Sequence, residues 1–383
     1  MNRYILIIII LITCILLTGC WSYREINSIY IVAGIGIDKV EESNQYNITA
    51  ELINIKDNKR DQSFESILVE TKGDSILDAT TKMVRVSGKE AYWGHTASII
   101  ISEEVAREGI IPFLDFVSRN EAVRLGSNIY IAKERSAKDV LQVESLSTEV
   151  RSFELDVMIN ESKHLVKVPI LKTYEVINAL AIPKFHIVLP TVVSYSNDGK
   201  DTNQLSGGSV FNKGKLVGFL KEEDIIPYLF IKNKVESGIL NIKAPKDNPD
   251  DIIILKIFGS NTKITPKYGD ETIGFDVTVK TDVSIGELTT MTDYISTQGR
   301  ENLKILAEES LEKEIVNFIK NIQDEFGFDI FGFGNIIRQR NPKMWTVVEN
   351  DWDSIFMDMD INVVCDIQIR NSGYTLKTIK VVD

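Results

Sequence analysis

From Ile361 to Ile369 every second residue is apolar: Ile361, Val363, Cys365, Ile367 and Ile369. A two-residue period places all five on one face of a strand, and that face must be covered by another layer. Ile273, Phe275, Val277 and Val279 repeat the pattern within a predicted strand over 272–285. Between them, residues 300–326 switch to helical spacing, with Leu303, Leu306 or Ala307, Leu311, Ile315, Phe318 or Ile319, Ile322 and Phe326 in one stripe. On this reading Glu308, Glu309, Glu312 and Glu314 face water. A sheet face and a long amphipathic helix within a hundred residues predict an α+β arrangement with antiparallel strands.

The first half carries the same two signals in shorter pieces. Strands are predicted at 29–37, 46–55, 99–101, 128–132 and 186–193, the first two pairing as a hairpin. Helices are predicted at 75–86, capped by Asp74 and burying Ile76, Ala79, Met83 and Val84, and after the caps Ser102 and Ser136. Pro112 restarts a helix that turns Phe113, Leu114 and Val117 inward, and another helix covers 171–181. Residues 145–167 show only weak helical character. The polar, turn-forming run 195–206 reads as a linker or long loop. Beyond it, Asn212-Lys213-Gly214-Lys215 turns a hairpin, and a helix covers 221–232. Strands follow at 238–243 and 252–258, and Asn371-Ser372-Gly373 turns the chain into a last strand. The expected organisation is a leader over 1–19, an N-terminal α+β domain over 20–200 and a C-terminal α+β domain over 201–383, with a split into 201–245 and 246–383 left open. The expected class is multidomain α+β, elongated, with several antiparallel sheets each packed with helices.

The first twenty residues concern address more than fold. Arg3 precedes an apolar run from Tyr4 to Leu17, which is short for a stable membrane span. It ends in Leu17-Thr18-Gly19-Cys20, an aliphatic residue three before a cysteine with small residues between, which resembles a bacterial lipobox. That resemblance implies cleavage between Gly19 and Cys20 and a diacylglyceryl group on the Cys20 sulfur, with N-acylation left open. Two acyl chains hold a protein to a bilayer where one does so only marginally. An uncleaved anchor helix is the alternative, and it puts the body on the same extracytoplasmic side.

Cleavage removes one base, Arg3, and no acid, and takes the net charge from -12 to -13. Such a balance argues against a nucleic-acid partner, since phosphate binding needs clustered Lys and Arg. Of the three cysteines, Cys14 leaves with the leader and Cys20 carries lipid, so Cys365 has no intramolecular partner and packing must supply the stability.

Catalytic signatures are missing. His95, His164 and His186 are scattered, no cysteine pair has zinc spacing, and no phosphate loop or nucleophile elbow occurs. Gly34-x-Gly36 and Gly332-x-Gly334 lack a third glycine and read as turns. His95, beside Trp93 and Gly94, is the most interesting titratable group, with a structural role favoured; Trp345 and Trp352 suit core packing better than a partner surface. No catalytic residue, cofactor or metal is expected.

Several segments together resemble one family, the Ger(x)C spore germination lipoproteins. They are Gly19-Cys20-Trp21-Ser22-Tyr23-Arg24-Glu25-Ile26 with Gly34-Ile35-Gly36-Ile37-Asp38, Gly94-His95-Thr96 before residues 99–109, and Leu114–Arg119. Gly207–Phe211, Lys215–Leu220, Asp329-Ile330-Phe331-Gly332-Phe333-Gly334, Trp345 and Asn350-Asp351-Trp352 continue the match. Ser22 departs from the family, which usually shows Asp there. The resemblance implies a non-catalytic C subunit of a germinant receptor, lipid-anchored on the outer face of the spore inner membrane and working with two membrane-embedded subunits, of A and B type. A solute-binding lipoprotein of a transporter is the alternative; it shares the anchor but calls for two βαβ lobes around a cleft. A surface hydrolase would need a carboxylate or metal constellation that the sequence does not offer.

Overall fold

In the computed structural model, residues 3–5, 7 and 28–370 are described, apart from 59–60, 121–122, 145, 163, 165–166, 185, 244–251, 270–271 and 291. Nine strands form the first sheet: β1 (Ile29–Lys39), β2 (Tyr46–Asn58), β3 (Asp61–Gly73), β4 (Glu90–Tyr92), β5 (Ser98–Ser102), β6 (Asn128–Ala132), β7 (Ile187–Asn197), β8 (Lys200–Asn212) and β9 (Lys215–Leu220). Their order is β3-β2-β1-β5-β6-β7-β8-β9, with β4 beside the start of β1. β1 and β2 pair antiparallel as the alternation predicts, whereas β1, β5, β6 and β7 run parallel.

Parallel neighbours need crossovers, and the helices between the strands supply them. α1 (Ile76–Ser87), α2 (Glu103–Glu108), α3 (Ile111–Arg119) and α6 (Thr173–Leu180) pack on one face. α4 (Ala137–Gln142) and α5 (Arg151–Ser162) pack on the other. β5 and β6 are therefore buried along their whole length: Ile99, Ile101, Ile129 and Ile131 face one helical layer, Ile100 and Tyr130 the other.

The second sheet has the order β10-β11-β12-β13, from β10 (Gly238–Ile242), β11 (Ile252–Tyr268), β12 (Ile273–Thr289) and β13 (Ile361–Ile369). β13 lies parallel to β12, because the chain returns to it through helices. α8 (Thr297–Glu325) crosses the buried face with the predicted stripe, each of Leu303, Ala307, Leu311, Ile315, Phe318, Ile319 and Ile322 being at most 3% exposed. The short helices α9 (Phe333–Arg340), α10 (Pro342–Val348) and α11 (Trp352–Met357) close its end. α7 (Glu222–Ile231) joins the two sheets: Ile225, Tyr228 and Phe230 belong to one apolar core with Val188 and Val210 of the first sheet and Leu255 and Val279 of the second.

The α+β, multidomain class holds, with both sheets mixed instead of antiparallel throughout. Residues 195–206 are no linker: β7 and β8 pair through them from Ile187↔Phe211 to Asn197↔Lys200. Asp198 and Gly199 turn that hairpin and Lys213 and Gly214 the next, all at positive φ (52°, 79°, 50° and 78°), as the type I′ turn needs. The polar composition conceals the strand because its buried polar groups are bonded: Asn203 Nδ2 donates to the Val140 carbonyl (2.9 Å) and its Oδ1 accepts from Arg135 (3.2 Å). The α1 cap is Ser75, whose hydroxyl accepts from the Asp78 N–H, and not Asp74. β3 and the 259–268 part of β11 are strands that hydropathy did not predict. The last strand expected after residue 373 lies outside the described residues.

Candidate functional site

The glycines of β1 bring two helix N-termini down onto the sheet. A Cβ on Gly34 would lie 1.9 Å from Ser152 Oγ, and one on Gly36 would lie 3.2 Å from the Ala137 backbone carbon. Helix starts leave N–H groups without partners, and two buried carboxylates accept them here. Asp38 takes the N–H groups of Ala137 (2.7 Å) and Lys138 (3.0 Å) at α4. Glu51 takes those of Arg151 and Ser152, both at 2.8 Å, at α5. Burial pushes the Asp38 carboxyl up, opposed by the two backbone donors. Gly34-x-Gly36 is thus neither a turn nor a phosphate loop; it is the seat of two crossing helices.

Asp329 organises the second motif. Its Oδ1 accepts from the N–H of Phe331 (2.9 Å) and Gly332 (2.8 Å), and its Oδ2 from the N–H of Gly334 (2.8 Å) and from Trp352 Nε1 (3.3 Å). His186 Nδ1 donates to the Asp329 carbonyl at 3.0 Å, and Lys232 Nζ donates to the Phe331 carbonyl at 2.9 Å. Burial raises the Asp329 carboxyl and lowers His186 and Lys232. Trp345 and Trp352 meet edge to face at 5.6 Å, both in the core, and a Cβ on Gly334 would sit 2.7 Å from Trp352 Nε1. These residues tie the start of β7 and the end of α7 to the α9–α11 cap.

The other sequence candidates do not converge. His95 is exposed with its ring edge-on to Tyr92 at 5.7 Å, and His164 Nδ1 lies 3.2 Å from Ser237 Oγ. Among the described residues no group of three His, Cys, Asp or Glu side chains could hold a metal ion, and no helix is long and apolar enough to cross a membrane. Gly19 and Cys20 lie outside the described residues.

The surface feature that sequence reading missed is a groove of about 740 Å³ between α1 and α3. Leu77, Thr81 and Val84 form one wall, Pro112, Asp115, Phe116 and Arg119 the other, with Ala91 and Trp93 between them. Val84 was assigned to the core by its spacing, yet it is 42% exposed, and Leu77 is 59% exposed. A second apolar stripe, Leu77-Thr81-Val84 at i, i+4, i+7, was the available signal. A wider groove of about 1780 Å³ separates α7 and β10 from α8. Glu314 lines it, and burial raises its carboxyl, so Glu314 does not simply face water.

Two family profiles match in sequence order: "Spore germination protein N-terminal domain" over residues 22–194 and "Spore germination B3/GerAC like, C-terminal" over residues 206–373. The chain belongs to the GerAC-like, or Ger(x)C, family of spore germination proteins. Its relatives in Bacillus subtilis (strain 168) include spore germination protein KC, 23% identical over 99% of this chain and 98% of the relative. Spore germination protein YndF is 25% identical over 97% of each chain, and spore germination protein B3 is 24% identical over 93% and 95%. The crystal structure of the GerBC protein shares the fold, with a TM-score of 0.58 and 19% identity over 88% of this chain and 97% of that one. The two family regions meet on the β7–β8 hairpin, so in this GerAC-like chain the division between them runs through a hydrogen-bonded sheet.

Proposed function

We propose that this chain is the lipid-anchored, non-catalytic C subunit of a nutrient-germinant receptor. The leader is cleaved between Gly19 and Cys20, the Cys20 sulfur carries diacylglycerol, and the body sits on the outer face of the spore inner membrane. Its partners are two membrane-embedded subunits of A and B type, with no nucleic acid, cofactor or metal involved. The chain works as two structural domains, 20–200 and 201–383, joined through the first sheet and α7.

The observation that carries this reading is the end-to-end match with spore germination proteins, preceded by Leu17-Thr18-Gly19-Cys20. Alkyne-palmitate labelling in sporulating cells tests the anchor. The wild-type chain should take up label and fractionate with membranes, whereas Cys20→Ala should take up none, leave the membrane fraction and slow nutrient germination. Wild-type labelling, fractionation and germination by Cys20→Ala would overturn it.

A further inference from the structure

Cys20 stands eight residues before Ser28, where the continuous described body begins. Eight residues span at most about 28 Å, so the part of the body holding the start of β1 stays within that reach of whatever anchors Cys20. β4 lies beside that start, with Ile29 opposite Glu90 and Ile31 opposite Tyr92. Lys89 Nζ sits 4.8 Å over the ring of Tyr30. α1 ends at the same place, capped by Gly88, so Val84, Arg85, Val86 and Lys89 gather at the anchor end of the body.

Exposed apolar side chains and cations meet at this corner. Val86 is 65% exposed and Val84 42%. Arg85 and Lys89 make no ion pair among the described residues, while Lys82, one turn back, pairs with Asp78 at 2.6 Å. Glu90 is the acid alongside, in a chain whose net charge is -12. Two exposed valines beside two cations that make no ion pair, Lys89 lying over the Tyr30 ring, match a bilayer boundary, where apolar side chains enter below the headgroups and cations meet lipid phosphates.

We infer that the C-terminal corner of α1, Val84, Arg85, Val86 and Lys89, rests on the anionic bilayer surface that holds Cys20. The inference builds on the proposed Cys20 anchor and adds an orientation to it. α1 is also one wall of the 740 Å³ groove, so docking the corner sets that groove's height above the membrane.

Full-length lipidated protein in vesicles tests this, with Val86→Cys carrying an environment-sensitive fluorophore. Cys365 is buried and an acylated Cys20 is unreactive, so the label goes to position 86. On phosphatidylglycerol-rich vesicles the emission should shift to the blue and be quenched by brominated acyl chains, and about 0.5 M salt should weaken both effects. Arg85→Gln and Lys89→Gln should each lower the docked-to-undocked ratio about fivefold. The same probe at Val347→Cys, an exposed position on α10, should stay in water. Vesicle-bound protein whose position-86 emission is the same on anionic and zwitterionic lipid would overturn the corner and leave the anchor standing. Failure to sediment with either vesicle, together with an unshifted probe, would overturn both. A shift that appears only with membrane-embedded receptor subunits present would assign the corner to a protein contact and overturn the lipid one.

Discussion

Gly34, Gly36, Asp38, Glu51 and Asp329 belong to the sheet and the cap, and their substitution should be read in stability before activity. Gly34→Ala places a methyl within 1.9 Å of Ser152 Oγ and 2.6 Å of its Cβ, which forces α5 off the sheet. Overpacking of this kind costs about 1–3 kcal/mol, and urea unfolding should show the loss. Asp329→Ala strands the N–H groups of Phe331, Gly332 and Gly334 and the Trp352 indole N–H. Unpaired buried donors cost about 1–3 kcal/mol each, so this variant should unfold at markedly lower urea and change its tryptophan emission. His186 adds a pH dependence. Burial lowers its pKa below the ordinary 6.5, opposed by its bond to the Asp329 carbonyl. As pH falls through 6.5 the unfolded chain takes up a proton before the folded one, so this group's contribution to stability is lost on acidification. Asp329, raised above 3.8, acts with the opposite sign at lower pH. The urea midpoint should therefore fall less between pH 7.5 and 5.5 in His186→Gln than in the wild type.

Elements read from hydrophobic period were found where their burial is one-sided, as in α8 and β13. Burial on both faces erased the period of β5 and β6, and only the intervening helices signalled parallel pairing. Polar strands were lost for a different reason: β8 buries Asn203 through hydrogen bonds that hydropathy cannot register, although Asp198-Gly199 was a legible hairpin turn. Two glutamates assigned to water have a structural role instead. Glu312 accepts the N–H of Cys365 and Glu308 that of Ile367, both at 2.8 Å, so α8 covers part of the open edge of β13. Carboxylates there satisfy donors that would otherwise invite another strand. Glu308→Ala/Glu312→Ala should cost about 1.5–3 kcal/mol per bond. Amide exchange at Cys365 and Ile367 should speed up ahead of exchange in β12; unchanged protection would refute the edge-covering role.

For the whole molecule, the family was legible and the surfaces were not. Gly34-x-Gly36-x-Asp38 and the Asp329–Gly334 run were recognisable in sequence because close helix crossings and a carboxylate-held loop leave few alternatives in residue type. The α1–α3 groove was illegible because its lining draws on α1, α3 and β4, and an exposed valine at helical spacing looks like a core valine. One core runs from Val188 through α7 to Val279, so the two family regions should unfold together: a single transition by fluorescence and by circular dichroism, with no stable fragment from cleavage near residue 200. Assembly with membrane-embedded partners is what the proposed role requires of this chain. Its most direct test is affinity purification of the tagged chain from gently solubilised spore membranes, followed by mass spectrometry. Two polytopic germination proteins should remain bound at fixed ratio, in the wild type and in Val347→Cys alike. Recovery of the chain alone, or with a transporter permease, would contradict the receptor-subunit account.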